Sequence, residues 1–211
     1  WPLGLAAAAA AVTLLRERAG LALALAAPVF PLGNISAGLA WAYGGFALLW
    51  LAVNWREPLS GLFLVAGPLL APLSLLGLLP FAAQRIRGRL HRAAQTFAAV
   101  LLAAIAAGLE GRRLPFAGMA PRTLHLEASR GPLAATGRLW HTLAAQPPLL
   151  LEGLVLAAAA ATLPLVSRRF IPAFGVLLLA GLLAPEPAIP DAAVILTVVA
   201  TCLGLAVKAE S

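Results

Sequence analysis

The chain has 211 residues, of which 62% are hydrophobic and only 11% are charged. A soluble domain carries roughly 25% charged residues, and a large share of the surface of any domain of this size stays exposed. The composition therefore excludes an ordinary water-soluble fold. It predicts an all-α polytopic bundle of about seven to eight transmembrane helices, because about 20 apolar residues are needed for each crossing.

The net charge is +7, and it comes from 14 arginines and one lysine set against eight acidic residues. In a soluble protein such an excess would suggest nucleic acid. Here the arginines stand at the ends of apolar runs, where they meet lipid headgroups and set topology. We therefore expect the bilayer and its anionic headgroups as partners and no nucleic acid. The expected location is the cell (inner) membrane of a bacterium, with several passes.

The apolar runs define the crossings in chain order. The uncharged run 19–55 is too long for one crossing at 1.5 Å per residue. Its break is predicted at PVFPLGNIS, residues 28–36, because proline, glycine and asparagine interrupt helices. The next segment, WREP, has the residues of a membrane interface, and its proline, Pro58, is expected to begin a helix. The predicted crossings are 1–15 (short), 19–32 (or a re-entrant hairpin), 37–54, 59–83, 93–109, 148–166, 170–185 and 191–207.

Composition also divides the chain into three parts. Residues 1–109 form an N-terminal helical membrane half, 110–147 a polar loop, and 148–211 a C-terminal helical membrane part. The polar loop holds five arginines and two of the three histidines. Within it, an amphipathic helix is predicted over about 132–146, lying in the membrane interface. Pro132 suits its first turn, and one side carries Leu133, Thr136, Trp140 and Leu143.

The chain begins with Trp1 inside an apolar run, without the basic region and cleavage site of a signal peptide. This start predicts a fragment, the C-terminal part of a longer protein. The single cysteine, Cys202, cannot form a disulfide within the chain.

The distribution of arginine and lysine between the loops predicts the orientation. The densest cluster is Arg85, Arg87, Arg89 and Arg92, and we place it in the cytoplasm. Counting crossings then puts Arg168, Arg169 and Lys208 on the same side. The inverted arrangement stays open, because the polar loop carries five arginines of its own.

Two kinds of candidate site follow. The first is the arginine cluster just named, as a contact for lipid headgroups or for a docking partner. The second is a possible polar site inside the membrane formed by Glu152 and Asn34, since an ionisable residue in a span suggests function. The simpler interpretations place Glu152 at headgroup level near a helix start, Asn34 at a helix end and Gln84 at the interface.

The sequence lacks the motifs of a phosphate-binding loop, of a zinc peptidase helix and of a cysteine pair that could bind zinc. We therefore expect no cofactor and no metal, and the sequence favours a non-enzymatic role. One catalytic alternative remains, in which His125, Glu127 and His141 meet at the membrane surface.

The run WREPLSGLFLVAGPLLAPLSLLGLLPFAAQ, the arginines after it and EGRRLPFAG resemble the multi-pass C-terminal membrane regions of large proteins from GC-rich bacteria. The likeness covers roughly 28–118 and extends to GRLWHTLAAQPPLLLEG. In some of these proteins a serine/threonine kinase-like domain comes first. The resemblance implies that this chain is the membrane part of such a protein. The motifs that carry kinase chemistry do not occur in it.

Three functional hypotheses result. The leading one is a non-enzymatic integral membrane domain that anchors or scaffolds a longer bacterial protein, together with an upstream soluble domain or a membrane partner. The second is a transporter or permease subunit whose pathway runs between proline-kinked helices near Pro68, Pro72 and Glu152. The third is a membrane enzyme that acts on a lipid-linked substrate through the loop 110–147.

Overall fold

The computed structural model describes residues 12–13, 16–71, 75–109, 131–184, 195 and 198–204. Every regular element in these ranges is helical, which confirms the all-α expectation for this part of the chain. Short 3₁₀ turns lie at Leu76–Leu78, Ala83–Arg85, Leu163–Leu165 and Arg168–Phe170. The α-helices are α1 (Glu17–Ala26), α2 (Val29–Ile35), α3 (Ala37–Val53), α4 (Pro58–Leu70), α5 (Leu79–Ala82), α6 (Arg89–Leu109), α7 (Pro132–Ala144), α8 (Pro147–Thr162) and α9 (Ile171–Leu183).

Three helical stretches are long and apolar enough to cross a membrane, namely Glu17–Ile35, Arg89–Leu109 and Pro147–Leu165. Helices α3, α4 and α9 are apolar but shorter. The 17 residues of α3 span about 25 Å, less than the hydrocarbon core of about 30 Å. The described residues therefore contain three helices of spanning length and three shorter apolar ones.

Several predicted boundaries agree closely with the structure. Helix α3 matches the predicted crossing 37–54, and α9 matches 170–185. Helix α4 begins at Pro58 and α7 at Pro132, as the proline positions indicated. Of the last predicted crossing, 191–207, residues 195 and 198–204 are helical; the rest of it lies outside the described residues, as does most of 1–15.

The predicted break within 28–36 is confirmed at its C-terminal end, because the helical stretch Glu17–Ile35 ends before Ser36 and α3 begins directly after it. Helix α2 occupies most of that segment, and the chain turns at Ala27–Pro28 and again at Ser36. Pro28 lies at the start of α2 and Pro31 lies inside its first turn. Backbone N–H groups in the first turn make no hydrogen bond within the helix, so proline, which lacks this group, removes no bond there. Ser36 is extended, and its hydroxyl accepts a hydrogen bond from the N–H of Leu39 at 3.4 Å, which caps α3.

The predicted span 59–83 is not one continuous helix in the described residues. Helix α4 contains Pro68 but ends at Leu70, and a 3₁₀ turn and the short α5 follow. The sequence has a proline, Pro72, two residues after this helix end, and proline removes a donor and disfavours the helical conformation of the residue before it. Helix α6 begins at Arg89, four residues earlier than predicted, directly after Gly88 with φ of 86°.

The chain divides into two compact units. Unit 1 comprises Trp1–Val65 and Leu124–Ala145, and unit 2 comprises Ala66–Thr123 and Gln146–Ser211. In unit 1, α3 packs against α1, α2 and α7. The indole N–H of Trp50 donates to the carbonyl of Gly61 at 3.1 Å, which ties α3 to the start of α4. The buried apolar side chains of this unit include Leu21, Leu25, Leu39, Phe63, Leu64 and Ala135.

In unit 2, α6 and α8 form the main helix pair, and α5 and α9 pack against α8. A β-carbon on Gly67 would overlap the backbone carbonyl of Ala99, so only glycine permits this approach of the end of α4 to α6. Gly153 of α8 similarly faces the ring of Phe97. Small residues where two helices cross let apolar helices pack closely in a membrane, where the hydrophobic effect does not drive helices together.

Candidate functional site

The predicted arginine cluster forms a turn in unit 2 between α5 and α6, which we call the arginine turn (residues 83–92). A 3₁₀ segment ends at Arg85, and Gly88 takes a left-handed conformation before α6 starts. The side chains of Arg85, Arg87 and Arg89 are exposed. These three guanidinium groups are therefore available to an anionic partner.

Arg92, the fourth member of the cluster, has a different role. Its Nε donates to the carbonyl of Ile86 at 2.7 Å, and its Nη1 donates to Oε1 of Gln84 at 3.2 Å. The side chain is partly buried and folds back over the turn. Arg92 thus satisfies acceptors inside the protein, and the candidate contact with headgroups is reduced to the three exposed arginines.

Gln84 is the residue that sequence reasoning undervalued. Its amide donates to the carbonyls of Pro80 at 2.7 Å and Ala160 at 3.1 Å, while its oxygen accepts from Arg92. It therefore joins α5, α8 and the arginine turn. The position of Gln84 in the sequence was the available signal. It is an amide directly between an apolar run and a turn, and carbonyls at the end of a helix need hydrogen-bond donors from outside that helix.

Glu152 lies on α8, and only 2% of its surface is exposed. Its neighbour Gly153 faces Phe97 and Val100 of α6, so this part of α8 is in the packed helix pair. Gln95 and Thr96 of α6 are buried as well, and Nε2 of Gln95 lies 2.9 Å from Nε2 of His91. Glu152 is therefore buried within the protein, whereas the simpler interpretation of the sequence placed it at headgroup level near a helix start.

The two residues proposed for an intramembrane polar site belong to different compact units, and each is described within its own unit. Asn34 is exposed and lies next to the last residue of α2 in unit 1, whereas Glu152 is buried in unit 2. The other buried polar residues on the α6–α8 pair are Gln95 and Thr96. They are adjacent in the sequence, between alanines and Phe97, and this context gave no sign of which side of α6 faces a neighbour.

The proposed catalytic set falls mostly beyond the described ranges. His125 and Glu127 lie outside the described residues, and His141 is exposed on α7. Among the described residues, no group of three or more His, Cys, Asp or Glu side chains is placed to hold a metal ion.

Comparison of the chain with protein-family profiles, with curated proteins and with solved structures finds no match.

Proposed function

We propose that this chain is a polytopic integral membrane domain of about seven to eight helices that anchors or scaffolds a longer bacterial protein in the inner membrane. The observation that carries the proposal is the apolar exterior of the described helices. Large side chains along α2, α3 and α9 are turned outward, with Phe30 79%, Trp41 74% and Leu177 71% exposed. Large apolar side chains exposed on several helices are unfavourable in water and favourable in the hydrocarbon core of a membrane.

The interior supports a scaffold rather than a water-filled path. Helix contacts in unit 2 run through glycines whose β-carbon would meet a neighbour at once, at Gly67, Gly153 and Gly181. Arginines stand in turns and at helix ends, at Arg85, Arg87 and Arg169 among others, where they suit headgroups. On the resemblance to kinase-bearing bacterial proteins, the anchored part would be a soluble domain ahead of this chain.

Membrane extraction tests the proposal. A soluble fluorescent protein is fused ahead of Trp1 and expressed in bacteria, with the unfused reporter as control. We expect the fusion in the membrane fraction after alkaline carbonate washing, because several crossing helices resist extraction. Recovery of the fusion in the supernatant would contradict an integral membrane domain.

The second candidate, a transporter or permease subunit, is favoured by one observation. Three buried polar side chains, Glu152, Gln95 and Thr96, occur on two packed helices of spanning length. Ionisable residues inside membrane bundles often mark substrate or ion pathways.

Cysteine accessibility separates the two candidates. In a Cys202→Ala background, Thr96→Cys places a nearly isosteric thiol beside this polar group. Exposed Arg138→Cys is the positive control, and outward Leu177→Cys is the lipid-facing control. Rapid labelling at position 96 by a charged thiol reagent would favour a water-filled pathway. Labelling as slow as at position 177 supports the scaffold.

A further inference from the structure

Unit 1 contains an open cleft of about 580 Å³ that neither candidate function uses. It lies where α1 and α4 begin and α3 has just ended. Its lining includes Arg16, Glu17, Arg18, Trp55 and Arg56. The volume falls within the range of about 300–1,000 Å³ that small-molecule sites occupy.

The charge of this cleft is positive. Three arginines and one glutamate line it, so the arginines exceed the carboxylate by two charges. All three arginines are exposed, and 47% of the surface of Trp55 is exposed as well. The guanidinium carbon of Arg18 lies 5.5 Å from the centroid of the Trp55 ring, a cation–π contact that orients both side chains.

The wall next to the cleft is closely packed. Asn54 is buried and its amide donates to the carbonyl of Trp50 at 3.0 Å. A β-carbon on Gly61 would come within 2.9 Å of both Asn54 and Leu21, so α1, α3 and α4 meet closely at this point. The helix ends that carry the lining residues are therefore fixed before a ligand binds, which lowers the entropy lost on binding.

An apolar groove of about 710 Å³ adjoins the cleft. The two share Trp55 and Arg56, and the groove continues along Leu48, Leu51 and Val53 of α3. A positively charged cleft that shares two lining residues with an apolar groove matches a molecule with an anionic head and a hydrocarbon tail. Free phosphate would leave the groove empty.

We propose that Arg16, Arg18 and Arg56 bind the phosphate of an anionic phospholipid whose acyl chain lies in the groove along Leu48 and Val53. This proposal rests on the proposed membrane function, because it assumes that lipid reaches this surface. A signal for it is present in the sequence. Arg16–Arg18 and Trp55–Pro58 flank two consecutive apolar runs, and two crossings return a chain to the same side.

Fluorescence quenching by brominated lipids tests the proposal at the site itself. The whole chain is reconstituted in phosphatidylcholine vesicles that contain equal fractions of brominated phosphatidylglycerol or brominated phosphatidylcholine. Subtracting the signal of the Trp55→Phe variant isolates Trp55. We expect a preference for the anionic lipid at Trp55 of roughly fivefold to 25-fold, since each of the two net positive charges contributes about fivefold at most.

Matched variants assign the preference to the cleft. The triple variant Arg16→Gln, Arg18→Gln, Arg56→Gln should reduce it to about onefold, because no net positive charge remains. The control Arg85→Gln, Arg87→Gln, Arg89→Gln removes the same number of charges from residues that do not line the cleft, and should keep the preference. An undiminished preference in the first variant, or equal loss in both, overturns the proposal.

The same experiment separates this proposal from the proposed function. If neither brominated lipid quenches the tryptophans, the chain is not embedded and the membrane function itself fails. If both lipids quench Trp55 equally, embedding stands and the anionic-lipid site is overturned. If excess soluble glycerol phosphate abolishes the preference, the ligand is a free phosphate ester and the lipid assignment is overturned.

Discussion

At the scale of single residues, glycines decide how closely the helices of unit 2 approach. Gly67 sits against the backbone of Ala99, where no side chain fits, whereas a β-carbon added to Gly45 of α3 would have no neighbour within 4 Å. The sequence shows both glycines in apolar runs and does not distinguish them. Their different roles arise from tertiary contacts that periodicity does not encode.

The first prediction concerns this difference. Gly67→Ala should lower the stability of the detergent-solubilised protein by about 1–3 kcal/mol, because overpacking forces the helices apart. Gly45→Ala is the matched control and should leave it unchanged or raise it by up to about 1 kcal/mol through helix propensity. Thermal unfolding of both variants measures the effect. Equal melting temperatures would contradict the close contact.

The second prediction concerns Gln84, which bonds to Pro80, Ala160 and Arg92. Gln84→Leu should destabilise the protein by about 1–3 kcal/mol, since it removes the side-chain hydrogen bonds to two partly buried carbonyls and one of the two hydrogen bonds of Arg92. The neighbouring exposed Arg85→Gln should change stability by no more than about 0.5 kcal/mol. The same thermal unfolding assay applies. A Gln84→Leu protein as stable as the control would show that these bonds contribute nothing net.

At the scale of helices, prolines determined both the successes and the errors of the sequence prediction. Pro58 and Pro132 mark helix starts in the structure, as expected. Pro28 marks a turn, whereas Pro31 also suggested a break but lies inside the first turn of α2. A proline indicates that a helix boundary is near. The sequence pattern does not determine whether that proline ends one helix or lies in the first turn of the next.

The amphipathic helix α7 leads to the third prediction. It forms as predicted and packs on α3 through a face that includes buried Ala135. Leu133 and Trp140 point outward, with 87% and 70% exposure. Spin labels at Leu133→Cys and Arg138→Cys, in the Cys202→Ala background, should differ. The first should relax faster with lipid-dissolved oxygen and the second with a water-soluble nickel chelate. Equal access of the chelate to both would contradict an interfacial helix.

At the scale of the whole molecule, composition predicted the class of fold but not how the helices pair. An apolar chain with charges at the run ends predicts a helical membrane protein, and the all-α expectation is confirmed for the described residues. The pairing of helices was not predictable, because nearly every face of α3 or α9 is apolar and no stripe marks the buried side. For the same reason the burial of Glu152 became visible only in the structure.

The fourth prediction concerns topology. Changing the three exposed residues of the arginine turn, Arg85, Arg87 and Arg89, to glutamine should produce weakened or mixed orientation, since we expect these charges to hold their loop in the cytoplasm. Arg92 is left intact because it folds the turn. The matched triple change at Arg16, Arg18 and Arg56 should keep a single orientation. Reporter fusions at residue 211 measure the outcome, and a single unchanged topology in the first variant would contradict the charge argument.

The most direct test of a polytopic membrane domain is the sidedness of successive turns. Single cysteines at Asn34, Arg56 and Arg87 are introduced in the Cys202→Ala background and treated with an impermeant maleimide in intact spheroplasts and after permeabilisation. A chain that crosses between these turns predicts alternation, with positions 34 and 87 protected until permeabilisation and position 56 labelled at once. Labelling of all three positions in intact spheroplasts, or protection of all three, would contradict it.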